Sequence, residues 1–152
     1  MKAIRKHPGK PPEMIDVEND VDAICAELDG QIEAFIVAPD LAILCDKESR
    51  IKGKAPNIAL KGLGVDFCGT ILIVGVDGEE FCDVPHLDAV LWIFFRMVRY
   101  GRADRVHNVW NCRRCGHLQQ FEADGPFENG WNLCPVCGGV VLRPANNGTA
   151  GN

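Results

Sequence analysis

Four cysteines in the last third of this chain restrict its folding more than any other feature. Cys112-Arg113-Arg114-Cys115-Gly116 is answered by Cys134-Pro135-Val136-Cys137-Gly138, a C-x2-C-x18-C-x2-C arrangement. Each pair sets two sulfurs on one tight turn. Two such turns facing each other place four thiolates at tetrahedral corners, about 2.3 Å from a zinc ion. Gly116 and Gly138 follow the second cysteine of each pair, where the turn needs a positive φ. Pro135 fixes φ just after the first cysteine of the second pair. The expected cofactor is one zinc per chain, held by Cys112, Cys115, Cys134 and Cys137 in a closed, structural site. Iron takes the same four sulfurs, and spacing alone does not separate the two metals.

These residues, from Val109 to Arg143, resemble a rubredoxin-like zinc ribbon, specifically at Cys112, Cys115, Gly116, Cys134, Pro135, Cys137 and Gly138. A redox C-x-x-C would stand alone at a helix start, whereas here two pairs lie in a loop-rich stretch. His117 lies two residues beyond Cys115 with four sulfurs already present, so it reads as a surface or supporting residue. A ribbon this small cannot fold on apolar burial alone, which is why a metal is expected to hold it.

The chain carries 16 basic and 21 acidic side chains, a formal charge of −5. The acidic excess lies in residues 1–100, with 11 Lys/Arg against 17 Asp/Glu. Such a body argues against broad nonspecific duplex binding, which depends on neutralising phosphates. The remaining cysteines, Cys25, Cys45, Cys68 and Cys82, read as small buried hydrophobes. No apolar run follows the basic Met1–Lys10, so no signal peptide is expected, and free thiols suit a reducing cytoplasm. The longest apolar stretch, Ala89–Phe95, ends at Arg96, far short of the roughly 18–20 residues that span a bilayer.

Along the chain, Lys2–His7 and Glu13–Glu18 predict two strands of a hairpin around Pro8-Gly9-Lys10-Pro11-Pro12. Asn19 or Asp20 caps a helix whose apolar positions are Val21, Ile24, Cys25 and Leu28, and Gly30 stops it. Ile32–Ala38 and Leu41–Cys45 form a second hairpin, and Asp46–Asp66 is a long connection. Gly69–Val76 is a β-branched run expected at the centre of a sheet, covered on both faces. Asp83 caps a second helix with Leu87, Val90, Leu91, Phe94 and Val98 on its core face, ended by Gly101. The expected fold class is α+β: a small β-β-α-β-β-β-α domain over 1–101, a linker at 102–108, a four-cysteine zinc ribbon at 109–144, and a disordered tail at 145–152.

Several short segments carry a second resemblance. They are Lys2-Ala3-Ile4 with Pro8-Gly9-Lys10, Gly30-Gln31-Ile32-Glu33, Leu41 to Glu48, Pro56-Asn57-Ile58-Ala59-Leu60, and Gly69 to Gly75. In that order they resemble the uncharacterised bacterial and phage family known only as domain of unknown function 3846. The resemblance implies a phage or mobile-element setting and no assigned activity. Two positions depart from the family pattern: Ser49 stands where a Gly usually turns the chain, and Ile58 where an Arg commonly follows Pro-Asn.

No catalytic constellation is present, neither H-E-x-x-H nor G-x-S-x-G. Cys82 and His86 are spaced for a helix face, but an Asp83 cap would leave Cys82 outside the helix. The chain is therefore read as a non-enzymatic binding protein with a macromolecular partner, most plainly a protein. Arg113 and Arg114 on the first cysteine turn, and Trp92 and Phe95 off the core face of the second helix, are the candidate contacts. Trp92, Phe95 and Arg99 need covering, by the ribbon or by a second copy in a homodimer. An alternative places a nucleotide or other phosphate on the basic loop, at Lys47, Arg50, Lys52, Lys54, Asn57 and Lys61. A weaker one is single-stranded nucleic-acid binding by the same lysines with Trp110 and Trp131 as stacking surfaces.

Overall fold

The computed structural model describes residues 1–60, 62, 64–98, 100–120, 131–134 and 136–142. Lys61, Arg99, Pro135 and the expected tail lie outside these, as does the Trp131 side chain. The chain divides into two compact units, Met1–Pro85 and the part beginning at His86. Among the described residues there are two helices and many short strands, an α+β chain. No helix there is long and apolar enough to cross a membrane.

The first unit is an antiparallel sheet in the order β2-β1-β7-β4-β3, built from β1 (Lys2–Lys6), β2 (Glu13–Asp16), β3 (Ile32–Ala38), β4 (Leu41–Asp46) and β7 (Ile71–Asp77). Central β7 pairs with β1 and β4, and its residues Ile71–Val74 are fully buried. Both faces are covered, which explains a continuous apolar run instead of alternation. Helix α1 (Val21–Leu28) buries Ile24 and Leu28 against Ala3, Ala42, Leu44, Leu72 and Val74. On the opposite face Ile4, Ile73, Ile43 and Phe35 form one cross-strand row. Asp20 caps α1 by accepting from the Ala23 N–H. The left-handed residue that ends the helix is Asp29, not Gly30. Gly30 is needed for another reason: a Cβ there would overlap the Asp46 carboxylate.

The long connection is not all loop. It contains the hairpin β5 (Pro56–Leu60) and β6 (Val65–Cys68), whose Phe67 ring meets Phe35 edge-on at 5.2 Å. β8 (Glu80–Cys82) folds back on β7 at Asp77-Gly78. Asp83, expected as a helix cap, instead accepts the Lys2 N–H at 2.7 Å and ties this turn to β1.

The second unit opens with α2 (Leu87–Phe95), whose N-cap His86, at φ 48°, makes no side-chain capping bond to the helix. The helix ends at Arg96 in the left-handed region, short of the expected stop at Gly101, and Val98 is buried as part of strand β9 (Met97–Val98). The expected linker is also corrected. β10 (Tyr100–Asp104) pairs with β11 (Val109–Cys112), so Arg102 and Asp104 are strand residues. β11 pairs in turn with β12 (Leu118–Gln120). β13 (Trp131–Leu133) and β14 (Val140–Leu142) form a hairpin, and β14 takes β9 alongside it in parallel, Val140 opposite Met97. The helix thus joins the cysteine unit through backbone pairing between segments more than forty residues apart, a partnership that local composition cannot display.

Candidate metal centre and neighbouring sites

The two cysteine pairs lie on turns with the same hydrogen-bond pattern. In the first, the Cys112 N–H donates to His117 O at 2.8 Å and the Gly116 N–H to Cys112 O at 2.8 Å. In the second, the Cys134 N–H donates to Gly139 O and the Gly138 N–H to Cys134 O, both at 2.9 Å. Gly116 at φ 79° and Gly138 at φ 72° occupy the left-handed region, so the sequence-based role of both glycines holds. All four sulfurs lie within 4.8 Å of one another. Cys112 Sγ is 3.8 Å from Cys137 Sγ, and Cys115 Sγ is 3.6 Å from Cys134 Sγ. Tetrahedral corners around ~2.3 Å metal–sulfur bonds are about 3.8 Å apart. Four soft thiolates at this spacing fit a metal ion. The expected ligand set is therefore brought together by the fold, and His117 lies outside it with Nε2 on Gln119 Oε1 at 3.2 Å.

Burial pushes the Cys112 thiol up to about 12. Burial also opposes ionisation of Cys134, but the N–H groups of Cys137 and Val136 together with the Cys115 and Cys137 thiols draw that thiol down to about 6. A cation shared by all four sulfurs would favour the thiolate form of each.

Behind the sulfurs is a small core. Trp110 is 2% exposed and packs with Val98, Cys112 and Cys134, its Nε1–H donating to Asn108 Oδ1 at 2.9 Å. This burial removes Trp110 from the stacking role considered above. Gly139 lies so close to the same core that a Cβ would meet Val98 Cγ1 at 2.5 Å and Trp92 Cζ3 at 3.3 Å. Trp92 therefore packs within this unit. Arg113 and Arg114 are exposed on the first cysteine turn. The Arg114 guanidinium stands 3.8 Å from the centroid of the Trp92 ring, and that of Arg96 is 5.1 Å from it. Asp88, Ala89, Trp92, Val98, Arg113 and Arg114 line a cleft of about 310 Å³ here. Phe95 is half-buried and tilts against Phe94, outside this lining.

The basic loop of the first unit is arranged around a buried carboxylate. Asp46, 1% exposed, accepts from the N–H groups of Gln31 and Glu48 and from the ammonium groups of Lys52 at 2.9 Å and Lys54 at 2.8 Å. Lys54 also donates to Leu28 O and Asp29 O, capping the carbonyl end of α1. Burial alone would push the Asp46 carboxyl up, but the hydrogen bonds from Lys54, Lys52 and Glu48 hold it well below the usual carboxylate range. Arg50 donates to Asp66 O, and Lys47 is exposed. Asn57 Nδ2 bridges Lys6 O and Gly69 O, both at 2.8 Å. The loop residues named from sequence thus converge largely on the fold's own backbone and on Asp46. Asp46 itself was missed. Its signal was an acid closing the apolar strand Leu41–Cys45, with Lys52 and Lys54 soon after. Ser49 is buried, and the loop makes its left-handed turn at Gly53.

Of the other cysteines, only Cys45 is fully buried, and burial pushes its thiol up to about 11. Cys82 lies in β8 opposite Gly75.

No curated protein and no solved structure matches this chain. A family model does match residues 1–94, the whole of the first unit and nearly all of α2, and stops before the cysteine turns. With more than half its length covered, the chain belongs to the family described as Domain of unknown function (DUF3846).

Proposed function

We propose that this chain is a non-enzymatic binding protein whose second unit is a rubredoxin-like zinc ribbon presenting an arginine-bearing turn to a protein partner. Zinc is the metal, one per chain, held by Cys112, Cys115, Cys134 and Cys137 in a closed structural role. What carries the reading is Arg114. It is exposed on a cysteine turn, beside a cleft, and its guanidinium rests on the Trp92 indole. A metal holding that turn would also hold the arginine in place before binding, which lowers the ordering cost of association. Lys52 and Lys54, the centre of the phosphate-binding alternative, are engaged by Asp46, which favours the ribbon over the basic loop as the recognition surface.

The test has two parts. Elemental analysis of protein purified without added metal should return one zinc per chain, and none in Cys112→Ser/Cys134→Ser. Affinity capture from the native host at moderate salt should retain a defined protein that Arg113→Ala/Arg114→Ala loses. A red, iron-loaded protein overturns the metal assignment. Capture of free nucleotide alone, released by Lys52→Glu/Lys54→Glu, overturns the binding assignment.

A further inference from the structure

We propose that the protein self-associates through β3, whose free edge pairs antiparallel with β3 of a second copy and continues one sheet across a two-fold axis. Among the described residues β3 pairs with β4 alone and ends the sheet order. The phase of that ladder fixes which backbone groups are left over. The Lys47 N–H donates to Gln31 O at 2.8 Å, and hydrogen-bonded positions alternate along an antiparallel pair. Gln31, Glu33 and Phe35 therefore turn their backbone groups toward β4, and Ile32, Ala34 and Ile36 turn theirs outward. Among the described residues no protein group meets those outward N–H and C=O groups.

The two edges of this sheet are built differently. Edge strand β2 has four residues, two of them the acids Glu13 and Asp16, and it follows Pro11-Pro12. Short length, charge and proline keep an edge from pairing with another chain. β3 has seven residues, Ile32–Ala38, with Glu33 its one charge and neither lysine nor proline. Its irregularity falls between Ile36 and Ala38, so Ile32–Ile36 stays regular. Ala34 is exposed and Ile36 is 60% exposed, which leaves apolar surface beside the outward backbone groups.

A second copy fits this edge because the strand is complementary to itself. With Phe35 on the two-fold axis, Ala34 falls opposite Ile36 of the second copy, and Phe35 opposite its own counterpart. A small side chain meets a large one, and two aromatic rings meet across the seam. Glu33 falls opposite Val37, so no like charges face each other. The outward groups of Ala34 then bond to those of Ile36, as in a hydrogen-bonded antiparallel pair. An incoming β3 is already ordered by β4, whereas a free peptide would lose entropy on becoming extended. Isologous pairing also closes: it uses the same edge on both copies and leaves none for further growth. The pairing involves neither the cysteine turns nor Arg114, so its failure leaves the ribbon reading standing.

Sedimentation equilibrium of the full-length protein under reducing conditions, from about 1 µM to about 500 µM, reads the association, and residue-resolved amide exchange reads the seam. A monomer–dimer equilibrium is expected. Exchange of the Ala34 and Ile36 amides should slow as concentration rises, while the Glu33 and Phe35 amides are protected throughout. Ala34→Pro removes an outward N–H that β4 does not use, a position where edge strands tolerate proline. Ile36→Lys places a charge at an exposed site on the same edge. Each should weaken the dimer by about tenfold or more with the β4 and β7 amides still protected. Ile93→Lys, at a position 70% exposed on α2, should change nothing. If Ala34→Pro misfolds, Ile36→Lys carries the decision. A monomer at every concentration overturns the proposal, as does a dimer that survives Ile36→Lys or is lost in Ile93→Lys. Protection of the Ala34 and Ile36 amides only when a host protein is added to a monomeric chain also overturns it, and gives the edge to a foreign strand.

Discussion

Replacing Asp46 with alanine tests whether the first unit is organised around a buried ion cluster. The substitution removes an acceptor used by two backbone N–H groups and two ammonium groups. Removing one partner of a buried pair costs about 3–5 kcal/mol, because the other charge is left uncompensated. Here that charge is partly relieved. Lys52 is 39% exposed and can rehydrate, and Lys54, 16% exposed, keeps its bonds to Leu28 O and Asp29 O. The low end, about 3 kcal/mol, is therefore expected. For a unit ending at Pro85, at about 4–8 °C per kcal/mol, this lowers the melting temperature by roughly 12–24 °C. The sign of the pH dependence follows from the folded carboxyl being held below its ordinary value. Its contribution is fully present above the unfolded value of about 3.9 and is lost as pH falls toward the folded one. The gap between wild type and Asp46→Ala should therefore be constant from neutral pH to about pH 5 and narrow in stronger acid. Native-state hydrogen exchange of β4 and β7 amides reads this unit directly; the three tryptophans all lie beyond Pro85 and report only on the other. A loss under 1 kcal/mol at pH 7, or a gap that widens in acid, would refute the ion-cluster account.

Cys134→Ser should abolish metal binding and unfold the second unit while β4 and β7 amides stay protected, since metal supplies ~10–16 kcal/mol to comparable cysteine sites. Metal content and exchange measured on one sample decide it. Gly139→Ala puts a methyl 2.5 Å from Val98 Cγ1, an overpacking cost of about 1–3 kcal/mol, and should make the protein release metal to chelator sooner than wild type. Gly30→Ala should destabilise the first unit because the new methyl overlaps the Asp46 carboxylate, whereas Gly62→Ala, with open space around it, should not; equal denaturation midpoints for the two would contradict the crowding at Asp46.

Local signals in the chain carried the elements that depend on near neighbours. The hairpin of β1 and β2, the capped helix α1, the apolar run of β7 and both glycine-ended cysteine turns all follow from residues a few positions apart. The ligand set was legible for the same reason: two sulfurs per turn are a local geometry, and soft donors in that number imply a metal. What local pattern could not show is which distant strands would pair. Helix α2 reads as the end of the first domain, yet parallel pairing of β9 with β14 carries it into the cysteine unit, where Trp92 meets Arg114. The lysines at 52 and 54 look like a solvent-facing positive stripe until β4 and α1 bring Asp46 and the helix carbonyls to them. Charge and hydropathy state what a side chain can do. Only long-range packing decides whether a lysine meets a ligand or a buried carboxylate, because the partner comes from another element.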